Sequence, residues 1–358
     1  MYDQLPVFTE ALNTIYQSYV DELPAGKLFD SAIVGALRGV DPAAGFLTAE
    51  EYKEYQKKAT TDRADTGLTI TRRGEHMIVV AARKDSPAGR AGLEAGDGVL
   101  KLAGQDASDL QLWQAIERLR GPAASAVTLT VRREGWPEPR QLDLARAMRE
   151  GHSVKASDLG AGITHLRAQW FDDTTAGEIA AALGPASAGK LGGVVLDLRD
   201  TAEGALPPGL ALLGLFLPKD RLAVVLDGRE PGGPRRLLVK GPASYPDVPM
   251  VLLVNRGSAG VAEVVAGAFQ DATRAVVVGA RTSGQGSVQS LIPLPDGSAV
   301  WLTIGRYVTP KGHAIDRKGI TPDVIVDAPA NADGDPPLER ALQILKVAKI
   351  IGQYRGSS

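Results

Sequence analysis

Apolar residues near the start of the chain recur every three to four positions. Phe8, Leu12, Ile15, Tyr16 and Tyr19 share one helical face. Pro24 and Gly26 are expected to break that helix, and a second is predicted over Leu28 to Leu37, with Phe29, Ile33 and Leu37 aligned. A third is predicted over Thr48 to Lys57, with Thr48 as N-cap and Glu51 three residues on to complete a capping box. From Gly67 to about Arg146 the pattern changes to short strands and one helix. Met77 to Ala81 and Val127 to Val131 are rich in β-branched residues, and Ser86-Pro87-Ala88 opens a helical turn that Gly92 closes. Leu112, Ile116 and Leu119 mark a helix whose N-cap is expected at Ser108 or Asp109. From about Gly160 to Val326 apolar strands alternate with helices. The strands are Gly193 to Leu198, Val248 to Val254 and Ala275 to Gly279, with an amphipathic helix over Val261 to Phe269. This order predicts an α/β layer with a mainly parallel sheet. A polar break over Asp333 to Pro337 precedes a final helix over Leu338 to Ile351.

Composition narrows the function classes. The 358 residues are 44% hydrophobic and 23% charged, an ordinary globular balance with room for more than one domain. Forty basic residues against 42 acidic ones offer no electrostatic reason to bind nucleic acid. With no cysteine, disulfides, thiol nucleophiles and thiolate metal sites are excluded. His76, His152, His165 and His313 are scattered without metal-ligand spacing and read as surface or packing residues. No metal or other cofactor is expected. The longest apolar run, Gly209 to Leu217, lies between prolines and is too short to span a bilayer, so no integral membrane span is expected.

Residues 67 to 146 resemble a PDZ domain of the circularly permuted bacterial type. The likeness rests on Gly67-Leu68-Thr69-Ile70, Ser86 to Leu93, Gly96 to Leu100, Leu119-Arg120-Gly121 and Val127 to Val131. A glycine-initiated loop can turn successive backbone N–H groups toward the carboxylate of a polypeptide C-terminus. The resemblance implies a ligand strand beside Gly67, Leu68, Thr69 and Ile70. Its last side chain is expected against the helix bearing Leu112, Trp113 and Ile116.

Residues 150 to 328 resemble the core of the C-terminal processing peptidases, the S41 serine–lysine proteases. The resemblance rests on Gly193 to Arg199, Leu215 to Lys219, Val254 to Ala259, Gly284 to Gln289 and Gly319 to Asp323. It implies an α/β multidomain fold: an N-terminal helical segment (1–60), a permuted bacterial PDZ domain (61–148), an α/β protease-like core with a layered sheet of the ClpP and crotonase kind (149–330), and a C-terminal helix (331–358). It also implies a working serine and lysine. The family motif Gly-Ser-Ala-Ser-Ala-Ser-Glu, with the middle serine as nucleophile, aligns with Gly257-Ser258-Ala259-Gly260-Val261-Ala262-Glu263. The family's Gly-Lys-Gly-Ser-Val-Gln aligns with Gly284 to Gln289, which puts Gln285 in place of lysine. The family's 25-residue spacing between serine and lysine is kept between Gly260 and Gln285. Glycine offers no nucleophile, and an amide does not titrate near neutrality. Gln289, which orients the lysine in the family, is retained. In the oxyanion region (Ala202, Glu203, Gly204 and Val261), Ala202 replaces a proline and Glu203 the first glycine, so a carboxylate is expected to repel an oxyanion and obstruct the cleft.

These departures together imply a pseudoprotease that holds polypeptide C-terminal tails or a partner protein, as adaptor, scaffold or regulator. Two alternatives are an endopeptidase with a rearranged nucleophile, Ser258 being tested first, and a binder of a small apolar ligand in the space Gly260 vacates. The family relation further implies a homodimer through the N-terminal helices. It also implies a periplasmic or extracytoplasmic setting, with the signal or anchor trimmed from the chain; a cytoplasmic setting is the alternative.

Overall fold

A computed structural model describes residues 2–59, 63–184, 191–229, 232–327 and 334–355. The expected domain boundaries at 60/61 and 330/331, and the start of the polar break at Asp333, lie outside the described residues. The first two helices are Leu5–Ser18 and Ala25–Val40. Gly26 does not break the chain; it lies in the first turn of the second helix, after Pro24 at the N-cap. The third helix, Ala49–Ala59, starts in a capping box: Thr48 N–H donates to Glu51 Oε2 at 2.9 Å, and Glu51 N–H to Thr48 Oγ1 at 3.3 Å.

The β-rich unit is one antiparallel sheet. Its main path runs Leu68–Arg73, His76–Ala82, Gly98–Leu102, Ala126–Arg132 and Arg140–Ala145. Strict alternation along Ala126–Arg132 buries Val127, Leu129 and Val131 beneath the helix Leu112–Leu119. That helix is capped by Gln111 and not by Ser108 or Asp109 as expected; Gln111 N–H bonds Gln114 Oε1 at 3.0 Å. Backbone bridging between Asp65 and Ala147 ties the start of the unit to its end.

The α/β core carries a six-stranded sheet in the order Val324–Ile325, Val276–Gly279, Met250–Val254, Gly193–Asp197, Ile163–Ala168 and Val154–Asp158. All pairs are parallel except the last. The central strands are buried along their whole length, which is why they read as unbroken apolar runs. Leu206–Phe216 and Val261–Asp271 cover one face through residues such as Phe216 and Phe269, and the C-terminal helix Pro336–Arg355 covers the other through Ala341 and Leu345. A second, antiparallel sheet joins Gly45–Leu47, Ala299–Val308, Leu222–Gly228 and Arg235–Leu238, with Ser287–Pro293 also on Ala299–Val308. The alternation of strands and helices in the sequence does not announce it, because Gly45–Leu47 comes from before the β-rich unit and its partner from after it.

Candidate active site and peptide groove

The strand Met250–Val254 delivers the chain to a tight turn. Ser258 is fully buried there; its hydroxyl donates to Leu198 O at 2.7 Å and accepts from Asn255 N–H at 3.0 Å. The turn ends at Gly260, with φ +59° and ψ −116°, as N-cap of Val261–Asp271. A side chain at 260 would project into open space, since a Cβ there has no neighbour within 4 Å.

Glu263 holds the site together. Its Oε2 accepts the N–H of Gly260 at 3.1 Å and of Gln285 at 2.8 Å, while Oε1 accepts from Gly284 N–H at 2.7 Å and from the Thr282 hydroxyl. Gly260 and Gln285 are therefore brought together around one carboxylate oxygen. Burial pushes the Glu263 carboxyl above its usual range, and the four donors pull against that rise. The Gln285 side chain makes no hydrogen bond among the described residues. The Gln289 amide is committed elsewhere: its Nε2 donates to Ala43 O at 3.3 Å and its Oε1 accepts from Trp301 Nε1 at 2.8 Å, so it ties the antiparallel sheet to the N-terminal segment.

The loop after Gly193–Asp197 lies against the same turn, with Ala259 N–H donating to Thr201 O at 2.9 Å. The side chain of Val261 turns away from the cleft to pack on Gly209. Ala202 is half-buried and Gly204 exposed beside Phe171, where any Cβ would collide with the Phe171 backbone. The Glu203 carboxylate is not left free to confront an oxyanion. Arg83 Nη1 donates to it at 2.9 Å, and Arg149 pairs with it closely. Two guanidinium groups thus pair with the carboxylate that the sequence led one to expect would repel an oxyanion. Sequence reasoning singled out neither arginine, because residues 83, 149 and 203 carry no spacing signal and meet only after the domains dock.

On the β-rich unit, Leu68–Arg73 pairs, among the described residues, with His76–Ala82 alone and is an edge strand next to the helix Leu112–Leu119, the arrangement that admits an added ligand strand. Gly67 has φ +70°, and a Cβ there would overlap Ser86. Its N–H already donates to Asp65 Oδ1 at 2.8 Å. Leu68, Ile70 and Leu112 are buried in the apolar core of this unit, Ile116 packs on it half-buried, and Thr69 is half-buried. Trp113 departs from expectation. It points out of the groove into a cluster with Leu47 and Ala299, and its Nε1 donates to Phe46 O at 3.2 Å. Gln111 grips the same residue from both sides, accepting from Phe46 N–H at 2.7 Å and donating to Phe46 O at 3.1 Å. The helix is amphipathic with two apolar faces, and the sequence does not say which one a neighbouring domain will claim.

His165 belongs to a network around the buried Asp197. Its Nε2 lies 3.1 Å from Asp197 Oδ2, and its Nδ1 lies 3.4 Å from the Ser157 hydroxyl. Asp197 is also held by Arg199 and Arg167. The Asp197 carboxylate is thus shared by one imidazole and two guanidinium groups, an ion-pair network on and just after the neighbouring strands Ile163–Ala168 and Gly193–Asp197.

Comparison with known proteins agrees with both halves of this geometry. The model for Peptidase family S41 matches residues 162–326, and one for a PDZ domain matches 78–133. A carboxy-terminal-processing protease of Bartonella bacilliformis is 34% identical over 332 residues, covering 92% of this chain and 76% of that protein. A carboxyl-terminal-processing protease of Synechocystis is 33% identical over 295 residues, covering 81% and 68%. Among solved structures, a photosystem II D1 C-terminal processing protease superposes with a TM-score of 0.74 at 28% identity, covering 96% of this chain and 97% of that one.

Proposed function

The chain belongs to the carboxy-terminal-processing proteases of peptidase family S41, and from that membership we propose that it has kept tail capture while losing peptide cleavage. The observation that carries this reading is the site around Glu263. One carboxylate oxygen gathers the backbone at 260 and 285, but Gly260 supplies no hydroxyl and Gln285 no amine. The scaffold of the reaction is in place and its reacting groups are not. Ser258, the substitute nucleophile in the competing reading, is fully buried with its hydroxyl committed on both sides. The edge strand Leu68–Arg73 beside an apolar helix face supports capture of polypeptide C-termini. We also propose that the N-terminal helices join two copies of the chain.

Two measurements test the central reading. Fluorescence anisotropy on the full chain is expected to detect C-terminal peptides with a free carboxylate and to lose the signal when that carboxylate is amidated. Purified protein incubated with unfolded casein is expected to leave it intact, and Gly260→Ser with Gln285→Lys to restore little or no cleavage. Cleavage by the parent chain that disappears in Ser258→Ala would overturn the reading.

A further inference from the structure

The third helix, Ala49–Ala59, and the PDZ helix Leu112–Leu119 meet over a cavity of about 270 Å³. Trp113, which points out of the tail groove, lines it. The volume falls just below the roughly 300–1,000 Å³ of pockets for drug-sized ligands, so the cavity suits a smaller molecule. Tyr55 and Trp113 give it an aromatic wall. Tyr55 is held edge-on against Trp301, with ring centres 5.8 Å apart, and a ring already fixed in place loses little entropy when a ligand packs on it.

The polar groups of the lining are unequally satisfied. Glu51 accepts the backbone N–H of Thr48, and Lys58 pairs with Glu54 at the more exposed rim. Two consecutive residues of the PDZ helix segment have capacity to spare. Glu117 accepts from Arg63 through Oε2 at 2.6 Å, which leaves Oε1 without a donor among the described residues. Arg118 donates to Gln105 Oε1 at 2.9 Å and to Gln114 O at 3.5 Å, both uncharged, and meets no carboxylate among the described residues. The Tyr55 hydroxyl also lacks a hydrogen-bond partner among them. Burial, and after it the Glu117 charge, pushes that hydroxyl's pKa up, so it stays a neutral donor.

The cavity thus offers an aromatic wall, a carboxylate oxygen with no donor and a guanidinium with no counter-ion. The two charges stand on neighbouring residues, with α-carbons about 3.8 Å apart. An α-amino acid carries the complementary pair, ammonium and carboxylate, on a single carbon. A simple amine would leave Arg118 unmet, and a simple acid would confront Glu117. We propose that this cavity binds a free α-amino acid with an aromatic or branched apolar side chain. The ligand ammonium donates to Glu117 Oε1, its carboxylate accepts from Arg118, and its side chain lies against Tyr55 and Trp113. The Glu117 side chain is only 14% exposed, so salt screens its attraction for the ammonium less than it would at an open surface. The site uses neither the tail groove nor the turn at Gly260, and it stands whether or not the chain captures polypeptide ends.

Equilibrium dialysis of the full chain against radiolabelled L-phenylalanine, and separately L-leucine, reads occupancy directly. Saturable binding to one site per chain is expected at micromolar to millimolar concentration. Phenethylamine keeps the ring and the ammonium, and hydrocinnamate keeps the ring and the carboxylate. Each is expected to compete on the order of tenfold more weakly than L-phenylalanine. Arg118→Met keeps an unbranched apolar stem and removes the charge. It should weaken L-phenylalanine on the order of tenfold and leave phenethylamine unchanged. Glu117→Gln should weaken L-phenylalanine to a similar degree and leave hydrocinnamate no weaker. Circular dichroism verifies the fold of each variant, and Arg118→Met with the two analogues carries the test alone if loss of the Arg63 pair unfolds Glu117→Gln. No saturable binding of either amino acid at millimolar concentration overturns the proposal. Competition by either one-charged analogue as strong as that of L-phenylalanine overturns the ligand class. Unchanged L-phenylalanine affinity in folded Arg118→Met overturns the site.

Discussion

Gly260 occupies a backbone conformation, φ +59° with ψ −116°, that an L-residue adopts only under strain. A serine at this position would bear that strain to project its hydroxyl into the cleft, and glycine relaxes it. Since a Cβ at 260 meets nothing within 4 Å, Gly260→Ala separates backbone strain from steric clash. It is expected to lower stability by about 1–3 kcal/mol in chemical denaturation; an unchanged midpoint would mean the turn relaxes around the new residue. Glu263 makes a sharper case. Replacing it by glutamine leaves one oxygen for four donors and turns an amide N–H₂ toward N–H groups. Glu263→Gln is expected to cost about 2–4 kcal/mol by the same measurement. The two departures from the family motif, Gly260 and Gln285, were legible in the sequence because their 25-residue spacing is kept without a gap. The partners of Glu203 were not, since ion pairs formed across a domain interface follow no local period.

At the level of elements, capping and periodicity did most of the predicting. Thr48 and Glu51 announced the third helix, and the buried strands announced themselves by their apolar runs. The miss at Leu112–Leu119 has a physical cause: Ser108 and Asp109 have good cap chemistry, but Arg72 binds the carbonyls of Ala107, Ser108 and Leu110, so the helix begins only after Gln111. The C-terminal helix depends on a cap of a different kind. Asp335 accepts from Leu338 N–H at 3.2 Å and pairs with Arg199 through both oxygens, and Arg199 in turn binds the buried Asp197. Burial raises the Asp197 and Asp335 carboxyls, but the hydrogen bonds and cations facing them win, so both end below the ordinary range. A carboxyl depressed in the folded state adds stability above its unfolded pKa, about 4, and loses it as pH falls through the folded value. Thermal stability is therefore expected to hold from neutrality to about pH 5 and to fall below about pH 4. Asp335→Asn keeps the cap and removes the charge. It is expected to cost about 1 kcal/mol at pH 7, allowing for solvent screening, and to converge with the parent at low pH. Parallel curves across the whole range would assign the acid loss to other groups.

At the scale of the whole molecule, the first two helices differ from the PDZ domain and the core in how little of their apolar surface is covered. The PDZ domain and the core each bury a continuous apolar cluster. By contrast, Ala25–Val40 has no buried residue, and Leu12 alone is buried on Leu5–Ser18. Val7, Phe8, Tyr16, Tyr19, Val20 and Phe29 are each at least half exposed. Their periodicity was plain in the sequence, but periodicity marks an apolar face without saying whether its cover comes from the same chain. Large side chains of this kind, half exposed, offer on the order of 100 Å² each. Together with their neighbours they approach the roughly 800 Å² per partner that a stable interface buries. A second copy presents the same face, and a two-fold arrangement lets each hairpin cover the other without asking for a foreign partner. Light scattering after size exclusion is expected to give twice the chain mass at micromolar concentration. Phe8→Glu with Tyr16→Glu should shift it to the monomer, because two buried carboxylates on each side have no cation to meet. A parent chain that is monomeric at these concentrations would remove the second copy as the cover for this face.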